Sequence, residues 1–262
     1  MSDLKDVLYR RYLDAFEAMS FEGQYMPYNW GRLPNSLPGS WLIYQWMFDE
    51  FSREIANSIN QLTDLNHRLK AWSAVTAAAS EHENMTATFE FVEPLATVGL
   101  TLPSVIRSRI IFAVSHLCHQ ANRARDGISW KDDLPLDTEL HFNTADQYGA
   151  DWQQYSTLKP RLEKVGDKNY QKATHDFRNS YNHRFSPRVV VGVTSRVTRT
   201  VNTQTKRVIY GLGELQPLSL ELVTDLLTAQ CRNCYAAFGS FQNLIREHEE
   251  CITGMIVTST FD

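Results

Sequence analysis

Residues 217–249 read PLSLELVTDLLTAQCRNCYAAFGSFQNLIREHE, with no proline after the first position. Leu218, Leu222, Leu226, Ala229, Ala236 and Leu244 recur at three- and four-residue steps and their multiples, which puts them on one face of an α-helix. A strand would alternate every second residue instead. The stretch predicts one long helix with those six residues on its buried side, and it makes a mainly α fold the expectation for the chain. Beyond it, Met255 to Thr260 reads as a short β-prone tail.

Just upstream the periodicity changes. Val189, Val191, Val193 and Val197 alternate, and the pattern resumes at Val208 and Tyr210 after Asn202-Thr203-Gln204-Thr205, predicting a β-hairpin over about 188–211. Before it, Asp167 is a good N-cap and Pro187 a stop, because the residue preceding proline avoids helical geometry; a helix over 167–186 follows. Its apolar stripe is Tyr170, Ala173, Phe177, Tyr181 and Phe185, while Lys172, His175, Asn179, Asn182 and His183 face the other way with Arg178 at the edge.

Residues 126–151 form a loop of turn residues and acids, seven acids against the single base Lys131, a local charge of −6. The N-terminal part, residues 1–125, predicts helices over Asp3–Met19, Trp41–Leu62 (capped by Ser40 after a Gly- and Pro-rich segment), Asp64–Ala79 and Ser104–Arg125, with 81–102 unassigned. The whole, residues 1–262, is read as a single helical domain: a bundle array with an inserted β-hairpin and no internal repeat.

Composition narrows the function. With 43% hydrophobic and 21% charged residues the 262-residue chain is ordinary globular material. A net charge of −4 and a pI near 6.1 exclude a protein that coats nucleic acid indiscriminately, so any nucleic-acid contact must be local. The charged start Met1–Asp6 is followed by no apolar signal region, and Val105–Cys118, interrupted by Arg107 and Arg109, is too short for a bilayer core of roughly 30 Å. The expectation is a cytoplasmic protein with no membrane partner. Cys118, Cys231, Cys234 and Cys251 lack a disulfide framework, and neither Cys231-x2-Cys234 nor His116-x2-His119 has the second pair a zinc site needs. With no Walker loop, dinucleotide turn or Gly-x-Ser-x-Gly elbow, no metal and no cofactor is expected.

The chemistry concentrates in Arg178-Asn179-Ser180-Tyr181-Asn182-His183. A histidine can take or give a proton near neutral pH, and an arginine fork stabilises charge on a phosphate. Together they suit metal-free RNA cleavage in which the nucleophile is the RNA's own 2′-hydroxyl. Asn179, one turn from His183, would orient the imidazole or the phosphate. Arg178 and His183 are about 140° apart around a straight helix, so a wrapping side chain, a kink or a symmetric pair of helices is needed to focus them.

Between Phe177 and Gly213 there is no Asp or Glu, while Arg178, Arg184, Arg188, Arg196, Arg199, Lys206 and Arg207 give a local charge of +7. Arg184, Arg188, Arg196, Arg199, Lys206 and Arg207 are thus candidate contacts to an RNA backbone, although such charges also serve to protect an exposed sheet edge.

The arrangement Arg178-Asn179-x3-His183 on a helix within a helical array resembles the signature of the HEPN superfamily. The resemblance implies a fold of HEPN type and a metal-independent endoribonuclease acting on tRNA or mRNA. It also implies a homodimer with a composite active site, and a toxin or antiphage role with an antitoxin or defence partner protein. One toxin branch of that superfamily carries a tyrosine two residues after the histidine as a modification site; Phe185 stands there, so silencing by that route is not expected. The hairpin would be an insertion into the family's helical core. A different class stays open: a non-catalytic helical scaffold that binds RNA or a protein partner.

Overall fold

The computed structural model describes residues 3–34 and 37–259. They are mainly helical, with one small two-stranded antiparallel sheet.

The decisive stretch forms a single helix, α9 (Leu220–Ser259). The residues expected to be a β-prone tail are helical through Ser259, and Thr260 lies outside the described residues. The buried face is turned by about one residue from the expected one: Val223, Leu227, Cys231, Cys234, Phe238, Phe241, Leu244 and Ile252 are buried, whereas Leu222, Ala229 and Ala236 are exposed and Leu226 is half-buried. Leucines occupy two neighbouring rows at the start of this helix, and the row continuous with Phe238 and Phe241 is the buried one, because aromatic rings remove the most apolar area from water.

Upstream helices are longer than expected. The break placed between Leu62 and Asp64 is absent: α2 (Gly39–Ala77) is continuous, and Ile59, Leu62, Leu65, Leu69 and Trp72 carry one buried row across it. The unassigned stretch is also helical. It opens as α3 (Glu81–Ala87) with a full capping box, in which Ser80 Oγ accepts from the Glu83 N–H at 3.4 Å and the Glu83 carboxylate accepts from the Ser80 N–H at 2.8 Å. It continues through a π-helical turn, Thr88–Val92, into α4 (Glu93–Asp126), which contains Pro103. By length and composition the run Glu81–Ser129 could cross a membrane; 44% of its apolar window is buried in the fold, and Ile106, Ile110, Val114 and Leu117 of the same run are core residues. Helix α1 (Leu4–Ala18) is capped by Asp3.

The chain gathers into two compact units: residues 1–23, 62–102 and 167–229 form the first, and 24–61, 103–166 and 230–262 the second. Helices α2, α4 and α9 each run from one unit into the other. A ladder of rings marks the core of the first, where Trp72 stacks on Tyr12 and on Phe91 with centroids 4.8 Å apart in each case. The second is built on Trp41, Tyr44, Ile55, Ile110, Phe238 and Phe241. It also uses much of the acidic segment, which includes α5 (Phe142–Gly149) and is followed by α6 (Tyr155–Glu163). Asp137 meets His116 at 3.1 Å, Asp132 meets His119 at 2.9 Å, and Asp146 accepts from the Tyr155 hydroxyl at 2.7 Å and Lys159 at 2.9 Å.

Candidate functional site

The motif lies in the first unit, on a helix that the sequence makes look continuous and the structure breaks. Helix α7 (Lys168–Ala173) is capped by Asp167, and the Tyr170 hydroxyl fastens it to the Leu100 carbonyl at 2.8 Å. The chain then reverses: the Asp176 N–H donates back to the Gln171 carbonyl at 2.6 Å, with His175 and Asp176 both left-handed at φ 52° and 54°. Neither is glycine, so each costs on the order of 1–2 kcal/mol. Helix α8 (Phe177–His183) starts afresh from Asp176. The expected stripe therefore ends at buried Phe177: Tyr181 stacks on it, centroids 6.1 Å apart and planes 8° apart, yet remains 54% exposed, and Phe185 is 90% exposed.

Asn179 does not face His183. Its Nδ2 donates to Asp176 Oδ2 at 2.9 Å and secures the start of α8. Arg178 and His183 are exposed, and their side chains make no hydrogen bond or ion pair with other described residues. They stand at opposite ends of a two-turn helix, and within one chain nothing folds them toward each other.

Three of the six arm residues do converge. A groove of about 480 Å³ opens between the end of α8 and the root of the hairpin. Arg184, Arg188 and Arg196 line it with Tyr181 and Phe185, and Val193, Thr194 and Ser195 form part of its wall. Arg188 is tied to Glu93 at 3.0 Å, whereas Arg184 and Arg196 have no side-chain partner among the described residues. The wall is stitched to the segment before α9: Thr194 and Leu215 exchange backbone hydrogen bonds at 3.2 and 2.8 Å, and Val189 pairs with Leu218. The Thr194 hydroxyl is buried there without a partner.

The hairpin is shorter than expected. Only β1 (Val197–Val201) and β2 (Val208–Leu212) pair as strands, in the register Val197↔Leu212 to Val201↔Val208. Asn202 closes the turn, its side-chain oxygen accepting from the N–H groups of Gln204 and Thr205 at 3.0 and 2.9 Å. Cross-strand partners share a face, so Val197, Arg199 and Val201 lie with Leu212, Tyr210 and Val208 on one exposed side. Arg199, Lys206 and Arg207 ride on this arm, outside the groove.

Helical periodicity predicts Tyr181 and Phe185 on one apolar stripe with Phe177, whereas the structure leaves both exposed. The signal that they line a surface groove is their spacing among bases, since Phe185 follows Arg184 directly and precedes Arg188. The second unit holds a contrasting histidine. His248 is fully buried, with Nδ1 3.0 Å from the Tyr44 hydroxyl, Nε2 3.6 Å from Cys118 Sγ and the Trp152 ring 4.3 Å away. Burial holds it neutral, with its pKa lowered to about 3, and pushes the Cys118 thiol well above its usual range. The cysteines are free, and among the described residues no group of three or more His, Cys, Asp or Glu side chains is placed to hold a metal. No protein-family model, no curated protein and no solved structure matches the chain.

Proposed function

We propose that the protein is a metal-independent endoribonuclease of the Arg-x4-His kind, acting on cellular RNA as a toxin or antiphage effector. The observation that carries this reading is the groove where Arg184, Arg188 and Arg196 meet exposed Tyr181 and Phe185 immediately after the Arg178–His183 helix. Guanidinium groups hold the phosphates, and His183 moves a proton as the 2′-hydroxyl attacks the adjacent phosphorus and the 5′-oxygen leaves, giving a 2′,3′-cyclic phosphate. Because Arg178 and His183 diverge on one short helix, the active centre is composite, two chains packing their α8 helices so that Arg178 of one approaches His183 of the other.

Incubation of the protein with total RNA in EDTA tests this. Fragments ending in cyclic phosphate are expected from the native chain and are lost in His183→Ala; cleavage that persists in the variant refutes the assignment. The lack of convergence within one chain favours a second reading, a scaffold that binds RNA without cutting it. That reading gains if both proteins bind RNA and neither cleaves it.

A further inference from the structure

A pair of stacked rings leads from the core to the surface along α8, and a third ring stands exposed just beyond it. Phe177 is buried, Tyr181 lies nearly parallel over it, and Phe185, past the end of α8, is 90% exposed and lines the groove. A phenylalanine so exposed gains nothing from the fold, yet it stands beside Arg184 and Arg196, whose guanidinium groups have no side-chain partner among the described residues. Two free guanidiniums alone suit any polyanion. Flat rings beside them favour a polyanion whose charged backbone carries flat groups, because a base stacks on an aromatic ring while its phosphate meets the arginine fork. In a duplex the base faces are covered by their neighbours, so only a splayed, unpaired base presents a face to such a ring. The volume of about 480 Å³ lies in the range of small-ligand pockets and gives room for a nucleotide, not for a helix.

We propose that the groove at the hairpin root receives one unpaired nucleotide of an RNA strand, its base stacked on Phe185 and its phosphate held by Arg184 and Arg196. This rests on the RNA reading above and adds its substrate class: Phe185 selects single-stranded segments over duplex. Arg188, held by Glu93 at 3.0 Å, fixes the wall of the groove and is not the phosphate clamp.

Fluorescence anisotropy with a labelled oligouridine and a labelled RNA duplex of matched length, at one fixed salt concentration, tests the idea. The native chain should prefer the single strand. Phe185→Ala should weaken single-strand binding roughly tenfold while leaving duplex binding unchanged, and Phe185→Trp should restore the preference. Since Phe185 is exposed, equal thermal melting of all three proteins confirms that folding is untouched. Equal affinity of the native chain for both RNAs, or an equal loss on both in Phe185→Ala, overturns the proposal while leaving the RNA reading standing. Displacement of the oligouridine by a polyglutamate peptide as effectively as by unlabelled oligouridine also overturns it, in favour of an acidic protein partner. Absence of RNA binding by the native chain removes the RNA reading itself, and this proposal with it.

Discussion

His183 and His248 show what surroundings make of one side chain. His248 in the second unit is enclosed by Tyr44, Cys118 and Trp152, neutral and unable to reach a substrate. His183 in the first unit stands exposed at the end of a two-turn helix, with no described partner. Burial turns one imidazole into packing material; exposure beside a basic groove leaves the other available for chemistry. At the aromatic start of α2, Trp41 and Tyr44 are fully buried and belong to the core, while Trp46 is 66% exposed.

The contrast breaks most visibly in activity. His183→Ala should lower RNA cleavage by at least about 100-fold while moving stability by less than about 0.5 kcal/mol, checked by a cleavage assay and a urea melt on the same preparation. His248→Ala should do the reverse and cost about 3 kcal/mol, since it opens a cavity and leaves the Tyr44 hydroxyl without its partner. If His183→Ala destabilises the chain as much as His248→Ala does, the two residues are not different in kind.

Acid should separate them further. The folded pKa of His248, about 3, lies below its ordinary 6.5, so the folded chain binds fewer protons. Its contribution is complete above about pH 6.5 and is lost as pH falls toward 3. At about 1.36 kcal/mol per pH unit this removes about 2 kcal/mol between pH 7 and pH 5. His116, lowered by burial, acts in the same sense, while Glu249, raised by burial, acts in the opposite one. Comparing denaturant midpoints of the native chain and His248→Gln across that range isolates the histidine; parallel pH curves would contradict the assignment.

A smaller effect is expected in the proposed RNA groove. Arg184→Ala together with Arg196→Ala should flatten the dependence of log affinity on log salt by about 1.4, two phosphate contacts at about 0.7 each for a single strand, measured by titration at several ionic strengths. An unchanged slope would place the phosphates elsewhere. The smallest effect lies at the turn before α8: His175→Gly, relieving a left-handed histidine, should stabilise the chain by about 0.5–1 kcal/mol in the same melt.

The helices were legible because apolar residues recur with helical spacing over long stretches, as in α1 and α9. Their joints were not. Nothing in His175-Asp176 announces a reversal, since the left-handed turn that glycine usually provides is made here by histidine and aspartate; the one local hint is that aspartate is also a favoured helix cap before Phe177. Conversely, Asp64 looks like a cap but sits inside α2, where the buried row from Ile59 to Trp72 outweighs its local preference. Of the candidate site, the sequence shows the residue types: the basic run without acids, and Arg178 with His183. Which arginines meet was not, because Arg184, Arg188 and Arg196 converge only through the backbone stitching of Thr194 to Leu215 and of Val189 to Leu218.

The interleaving of the two units along α2, α4 and α9 has a consequence for synthesis. The first unit draws on residues up to 229, so a fragment that stops before the first turns of α9 cannot complete it, and the second draws on residues from 24 to the last turns of α9. On the ribosome the Arg178–His183 helix emerges well before the start of α9 that its unit requires. A nascent chain therefore carries the motif for some time without the scaffold that positions it.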